Sequence, residues 1–107
     1  MINDLKDLDV FIVDDDEAIR DSLTTYLVSL GVKVRTAINP VEALTILKSN
    51  PTNIVITDIR MPQMDGIEFL QKLKERYGDE VEVLIITGHS NESLAIEALK
   101  NGAFDYF

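Results

Sequence analysis

Residues 10–20 read "VFIVDDDEAIR". Four apolar residues, Val10, Phe11, Ile12 and Val13, run directly into Asp14, Asp15, Asp16 and Glu17. The apolar run suits a strand buried on both faces of a parallel sheet. Adjacent carboxylates repel one another, so a buried strand that ends in them needs a reason. One part of the reason is local: an aspartate just before a helix caps it, and Asp16 has the right place for that.

Working outward, three more apolar runs follow: "VKVRTA" at 32–37, "NIVIT" at 53–57 and "VEVLIIT" at 81–87. The run at 32–37 alternates and reads as an edge strand; the others are nearly continuous. Helical periodicity fills the gaps. Ile19, Leu23, Tyr26, Leu27 and Leu30 are expected on one face of a first helix that stops at Gly31. A second helix begins at Asn39-Pro40, presents Ala43, Leu44 and Leu47, and ends before Pro51. A third starts near Gly66, turns Ile67, Leu70, Leu73 and Tyr77 inward, and stops at Gly78. A fourth starts near Ser90-Asn91, presents Leu94, Ala95, Ala98 and Leu99, and ends before Gly102. The closing "AFDYF" reads as the start of a fifth strand. Strand and helix thus alternate, which predicts an α/β fold: a doubly wound parallel sheet with helices on both faces.

The totals agree with one domain over residues 1–107. Hydrophobic residues make up 46% and charged residues 27%, the balance of a folded globular chain. A formal net charge of −9 argues against direct nucleic-acid binding and against an anionic membrane, and leaves cations and basic protein surfaces as partners. The chain has no cysteine, which excludes disulfides and thiolate metal sites. No apolar run nears the roughly 20 residues of a spanning helix, and the N-terminus lacks the pattern of a signal peptide, so a cytoplasmic location is expected.

In a sheet of this kind ligands bind beyond the carboxyl ends of the strands. The first strand ends in Asp14 and Asp15, the third in Thr57-Asp58, the fourth in Thr87-Gly88-His89. Asp14, Asp15 and Asp58 would meet in one acidic pocket. Oxygen ligands without histidine or cysteine favour magnesium, with calcium or manganese as alternatives. An aspartate can attack phosphorus, a metal can offset charge on the transferring oxygens, and Thr87 can donate a hydrogen bond to one of them. Each residue taken alone has a plainer reading. Asp58 and Asp65-Gly66 fit turns, Thr87 fits a strand, and His89 fits an exposed loop. The convergence of three strand ends on one edge favours phosphoryl transfer.

The segments "VDDD" at 13–16, "ITDIRMPQMDG" at 56–66, "IITGHS" at 85–90 and "NGAFDYF" at 101–107 resemble the receiver domain of two-component response regulators. The flavodoxin-like strand order 2-1-3-4-5, the known order of flavodoxin and CheY, comes with that resemblance and not from the residues. The resemblance implies that Asp58 is a phosphoacceptor, taking its phosphoryl group from a sensor histidine kinase. It implies a magnesium ion held by Asp15, by Asp14 chiefly through water, by Asp58, and by the backbone carbonyl of Arg60. Thr87 would contact the phosphoryl group and Tyr106 would be the aromatic switch. Arg60 and His89 would tune the lifetime of the phosphoaspartate. Met61, Pro62, Asp65 and Gly66 would shape the neighbouring loop. "TGHS" and "AIEALKNGAFDYF" are most similar to receivers of the nitrogen-regulator type, which implies a downstream output domain or protein that acts in transcription. The domain would catalyse only its own phosphorylation and dephosphorylation, and would not be a turnover enzyme.

The pattern departs from the family at its end. The family has a lysine two residues beyond the position of Phe107, and then a final helix. The chain is therefore expected to be a receiver cut short within the fifth strand. Its open face would leave apolar residues of the first and fifth strands exposed, to be covered by homodimerisation or element exchange. Three rival readings compete with this one. A haloacid-dehalogenase-type phosphatase resembles D-x-D-x-T, but the positions four beyond Asp14 and Asp15 are Ala18 and Ile19. A flavin binder needs a hydroxyl-rich phosphate cradle where this chain has "DDDEA". A receiver-like interaction module without phosphorylation is the third.

Overall fold

The computed structural model describes residues 7–59, 64–86 and 92–106, with residues 92–95 and 106 by their backbone alone. Five strands are described: β1 (Asp9–Val13), β2 (Lys33–Ala37), β3 (Ile54–Asp58), β4 (Glu82–Ile86) and β5 (Asp105–Tyr106). They form one sheet in the order β2-β1-β3-β4-β5, and each neighbouring pair is parallel. Four helices connect them: α1 (Glu17–Ser29), α2 (Pro40–Ser49), α3 (Gly66–Tyr77) and α4 (Glu92–Lys100). A single 3-10 turn, Gly78–Glu80, follows α3. This is the doubly wound, CheY-like architecture, with β2 at the edge where its alternation placed it.

Local chemistry sets the boundaries. The Asp16 side chain accepts from the amides of Ala18 and Ile19 and so starts α1. The Asn39 side chain accepts from Glu42 N–H, Pro40 fills the first turn, and together they start α2. The Asp65 side chain accepts from Glu68 N–H at the start of α3. Gly31, with φ 91°, lets the chain turn directly from α1 toward β2.

The two faces of the sheet are unequally covered. One carries the larger core, in which Phe11, Val13, Val55, Val83 and Ile85 pack with Leu44 and Leu47 of α2, and with Phe69, Leu70 and Leu73 of α3. On the other face, Val10, Ile12 and Val32 pack against the half-buried Leu23 and Leu27 of α1.

Several expected details differ. α1 buries no residue fully. Its inward stripe centres on Leu23 and Leu27; Tyr26, about 100° around the helix from Leu27, is 63% exposed, and Leu30, the C-cap, is exposed as well. Phe69 is fully buried beside the expected inward residues of α3, whereas Leu99 of α4, expected inward, is exposed. β1 is buried on both faces as expected, but β3 and β4 alternate between buried and half-buried residues. The open stretch of sheet therefore comprises Ile54 and Ile56 of β3 with Leu84 and Ile86 of β4, and not β1, because α1 lies over β1 and β2. The side chains of Leu94 and Ala95, and the helix start at Ser90-Asn91, lie outside the described residues.

Candidate functional site: an acidic pocket at the carboxyl edge

β1 and β3 lie side by side, with Val13 opposite Thr57, so the chain leaves both strands at the same edge of the sheet. Asp14 follows β1 and Asp58 ends β3. One carboxylate oxygen from each of Asp14, Asp15 and Asp58 lies within 4.8 Å of the others. Their burial is graded: Asp14 is 2% exposed, Asp58 is half-buried and Asp15 is exposed.

Asp14 is fixed on three sides. Its N–H donates to the Ala37 carbonyl at 3.2 Å, which ties it to the end of β2. Its Oδ1 accepts from Asp16 N–H at 2.9 Å. Its own carbonyl accepts from Arg20 Nη1 at 2.6 Å. Burial pushes the Asp14 carboxyl above the ordinary carboxylate range, and the nearby charges of Asp58 and Asp15 add to this; the bond from Asp16 N–H acts the other way. A buried carboxyl with two further carboxylates beside it is an arrangement that a cation would stabilise. The donor set is all oxygen, which fits a hard divalent ion.

The floor of the site is equally constrained. Thr57 Oγ1 donates to the Asp58 carbonyl at 3.0 Å. Gly66 N–H donates to the Ile59 carbonyl at 2.7 Å. A Cβ on Gly66 would fall on the Asp58 carbonyl oxygen and within 2.6 Å of Ile59 Cα. Only glycine lets the start of α3 lie this close to the backbone that carries Asp58.

Of the residues selected from sequence, Asp14, Asp15 and Asp58 come together, and Asp65 and Gly66 shape the start of α3 beside them. Arg60, Met61, Pro62, Thr87 and His89 lie outside the described residues, as does the side chain of Tyr106, whose backbone pairs with Ile85 in β5. Sequence reading missed Arg20. The signal was present, since Arg20 is the only basic residue between Lys6 and Lys33. No helix among the described residues is long and apolar enough to cross a membrane.

Comparison with known proteins agrees with this geometry. Residues 10–107 match the family model of the response regulator receiver domain. The chain is 40% identical over 97 residues to the DNA-binding transcriptional regulator NtrC of Escherichia coli K12, a match covering 91% of this chain and 20% of that protein. It is 39% identical over 104 residues to a putative NtrX-like response regulator of Rickettsia felis, covering 95% of this chain and 22% of that one. The chain thus spans about a fifth of the length of these curated relatives. Among solved structures, the beryllofluoride-activated NtrC4 receiver domain dimer superposes with a TM-score of 0.86 at 35% identity, covering 92% of this chain and 80% of that one. NtrX from Brucella abortus superposes with a TM-score of 0.88 at 30% identity, covering 94% of this chain and 22% of that one. With the sheet order, the acidic edge and the matched sequence in agreement, the chain belongs to the family of response regulator receiver domains.

Proposed function

We propose that this domain is a phosphoacceptor switch: Asp58 takes a phosphoryl group from a phosphohistidine of a sensor kinase, and the modified domain then acts on an output domain or protein. The convergence of Asp14, Asp15 and Asp58 at one sheet edge carries the reading. An oxygen of the Asp58 carboxylate attacks phosphorus; the O–P bond forms as the P–N bond breaks, and the imidazole leaves with the bonding electrons. Asp58 suits this role because β3 and the close-packed Gly66 fix its backbone. Asp15, Asp58 and the Arg60 carbonyl would hold magnesium directly, with Asp14 holding it chiefly through water. When bound, the ion supplies positive charge that offsets the carboxylates and the oxygens of the transferring group. Asp14 keeps the pocket anionic and so poised for a cation.

In the phosphorylated domain Thr87 would contact the new group and Tyr106 would follow it inward, shifting a two-state equilibrium toward the form that engages the output. Arg60 and His89 would set how long the phosphoaspartate lasts, and Met61, Pro62 and Asp65 would hold the loop. The chemistry is confined to the domain's own aspartate, without turnover of a free substrate. The likeness to NtrC, a DNA-binding transcriptional regulator, supports a transcriptional output, and the domain would act in the cytoplasm. In the isolated chain, a second copy or an exchanged element would cover the half-open face of Ile54, Ile56, Leu84 and Ile86.

NMR spectra recorded during titration with magnesium and beryllofluoride, on the parent and on Asp58→Asn, test the reading. Mimic-dependent shifts at Thr87 and Tyr106 in the parent, absent from the variant, are expected. A parent that binds magnesium but ignores the mimic would be an interaction module and not a phosphoacceptor.

A further inference from the structure

Among the described residues, one cation is bonded to the turn that carries the acidic pocket. Arg20, on the first turns of α1, donates from Nη1 to the Asp14 main-chain carbonyl at 2.6 Å. The Arg20 N–H donates to the Asp16 carbonyl at 3.1 Å. Asp16 in turn caps α1 and gives its N–H to Asp14 Oδ1. These bonds close a ring from Asp14 through Asp16 to Arg20 and back to Asp14. Asp15 sits within the ring and is exposed, its carboxylate among the three that converge.

The geometry points to Arg20 as a positioning residue for cation binding: its side chain clamps the Asp14 carbonyl and so holds Asp14 and Asp15 in register with Asp58. This inference rests on the magnesium reading given above. It makes a prediction whose sign opposes simple electrostatics. Through space, removing a positive charge beside an anionic pocket should tighten divalent-cation binding. Removing a clamp should loosen it, because the carboxylates must then be ordered when the cation binds. If Arg20 acts through the ring, the second effect wins.

Calorimetric titration of magnesium chloride into the parent, Arg20→Met and Arg20→Lys measures this, together with amide exchange of the metal-free proteins. Arg20→Met is expected to bind magnesium about fivefold more weakly and to exchange its Asp16 amide several-fold faster. The β3 and β4 amides of Val55 and Val83 are expected to stay as protected as in the parent. Arg20→Lys, which keeps a charged donor, is expected to recover most of the affinity. Equal or tighter magnesium binding by Arg20→Met, with the fold intact, would overturn the clamp and leave the proposed function standing. A parent that does not bind magnesium would overturn the function and this inference with it.

Discussion

Strand β1 has an aspartate at each end, and the two are treated in opposite ways. At its start, Asp9 is fully provided for. Its Oδ1 accepts from Arg35 Nη2 at 3.2 Å, its N–H donates to Asn53 Oδ1 at 3.0 Å, and its carbonyl accepts from Thr52 Oγ1 at 2.6 Å and from Asn53 N–H at 3.1 Å. Arg35 also donates to the carbonyls of Asn50 and Pro51 and stacks 5.2 Å from the Phe11 ring centroid. Just past the other end, Asp14 is more deeply buried, yet its carboxyl lies beside two more carboxylates, and Arg20 reaches only its main-chain carbonyl. At one end the aspartate's charge is met by an arginine of the same fold. The other gathers three carboxylates, an excess of negative charge that a bound cation or a proton would relieve. A buried carboxyl whose carboxylate neighbours outnumber its cations among the described residues marks the end where ligands act.

The largest expected effect concerns chemistry. Asp58→Asn removes the nucleophilic oxygen and should abolish phosphorylation by a phosphodonor, read by mass spectrometry as loss of the phosphoryl adduct, while the Asp9 end keeps its amide protection. Next, Gly66→Ala forces a methyl group into the Asp58–Ile59 backbone. It should cost about 2 kcal/mol of stability in urea unfolding, an overpacking penalty, and weaken magnesium binding.

Asp14→Asn and Arg35→Met then set the two ends against each other. Asp14 has its pKa raised by burial, so its contribution to stability is fully present below the unfolded-state value of 3.8 and is lost as pH rises through the folded-state value. Above that folded-state value the metal-free parent bears the full cost of the charge. Asp14→Asn should be more stable there by about 1 kcal/mol, the scale of a poorly compensated buried polar group. The gain should vanish toward acid pH, and with it should go most of the stabilisation that magnesium gives the parent. Thermal unfolding across pH, with and without magnesium, measures both. Arg35→Met should act with the opposite sign and destabilise by somewhat under 1 kcal/mol, because its ion pair with Asp9 is about a third exposed and screened by solvent. Stabilisation by Arg35→Met, or destabilisation of the metal-free protein by Asp14→Asn at neutral pH, would erase the contrast between the ends.

Much of the fold was legible in the chain because its signals are local. Asp16, Asn39 and Asp65 each cap a helix through bonds to amides two or three residues on, and Gly31 and Gly78 stop α1 and α3. The inward face of α1 was less legible. The spacing of Tyr26 and Leu30 fits an apolar stripe as well as that of Leu27 does, but exposure depends on which strands the helix lies over. The same holds for β3 and β4. Their unbroken Val and Ile runs predicted cover on both faces, and the coverage each face received came from elements distant in sequence. Phe69 lies four residues before Leu73, about 40° from it around α3, so the inward stripe is wider than Ile67, Leu70 and Leu73 alone and buries Phe69 with them.

By itself, then, the sequence determined the alternation of strands and helices, their caps and stops, and the chemical kind of the pocket. These depend on residue type and on spacing within a few positions. Only the tertiary structure decided that Asp14 is buried while Asp15 is exposed, that Gly66 must lack a side chain, and that Arg20 closes a ring on the Asp14 carbonyl. Each of these depends on how closely β1, β3 and the starts of α1 and α3 approach one another. Burial and close approach are properties of packed neighbours, and a residue's immediate sequence does not contain them.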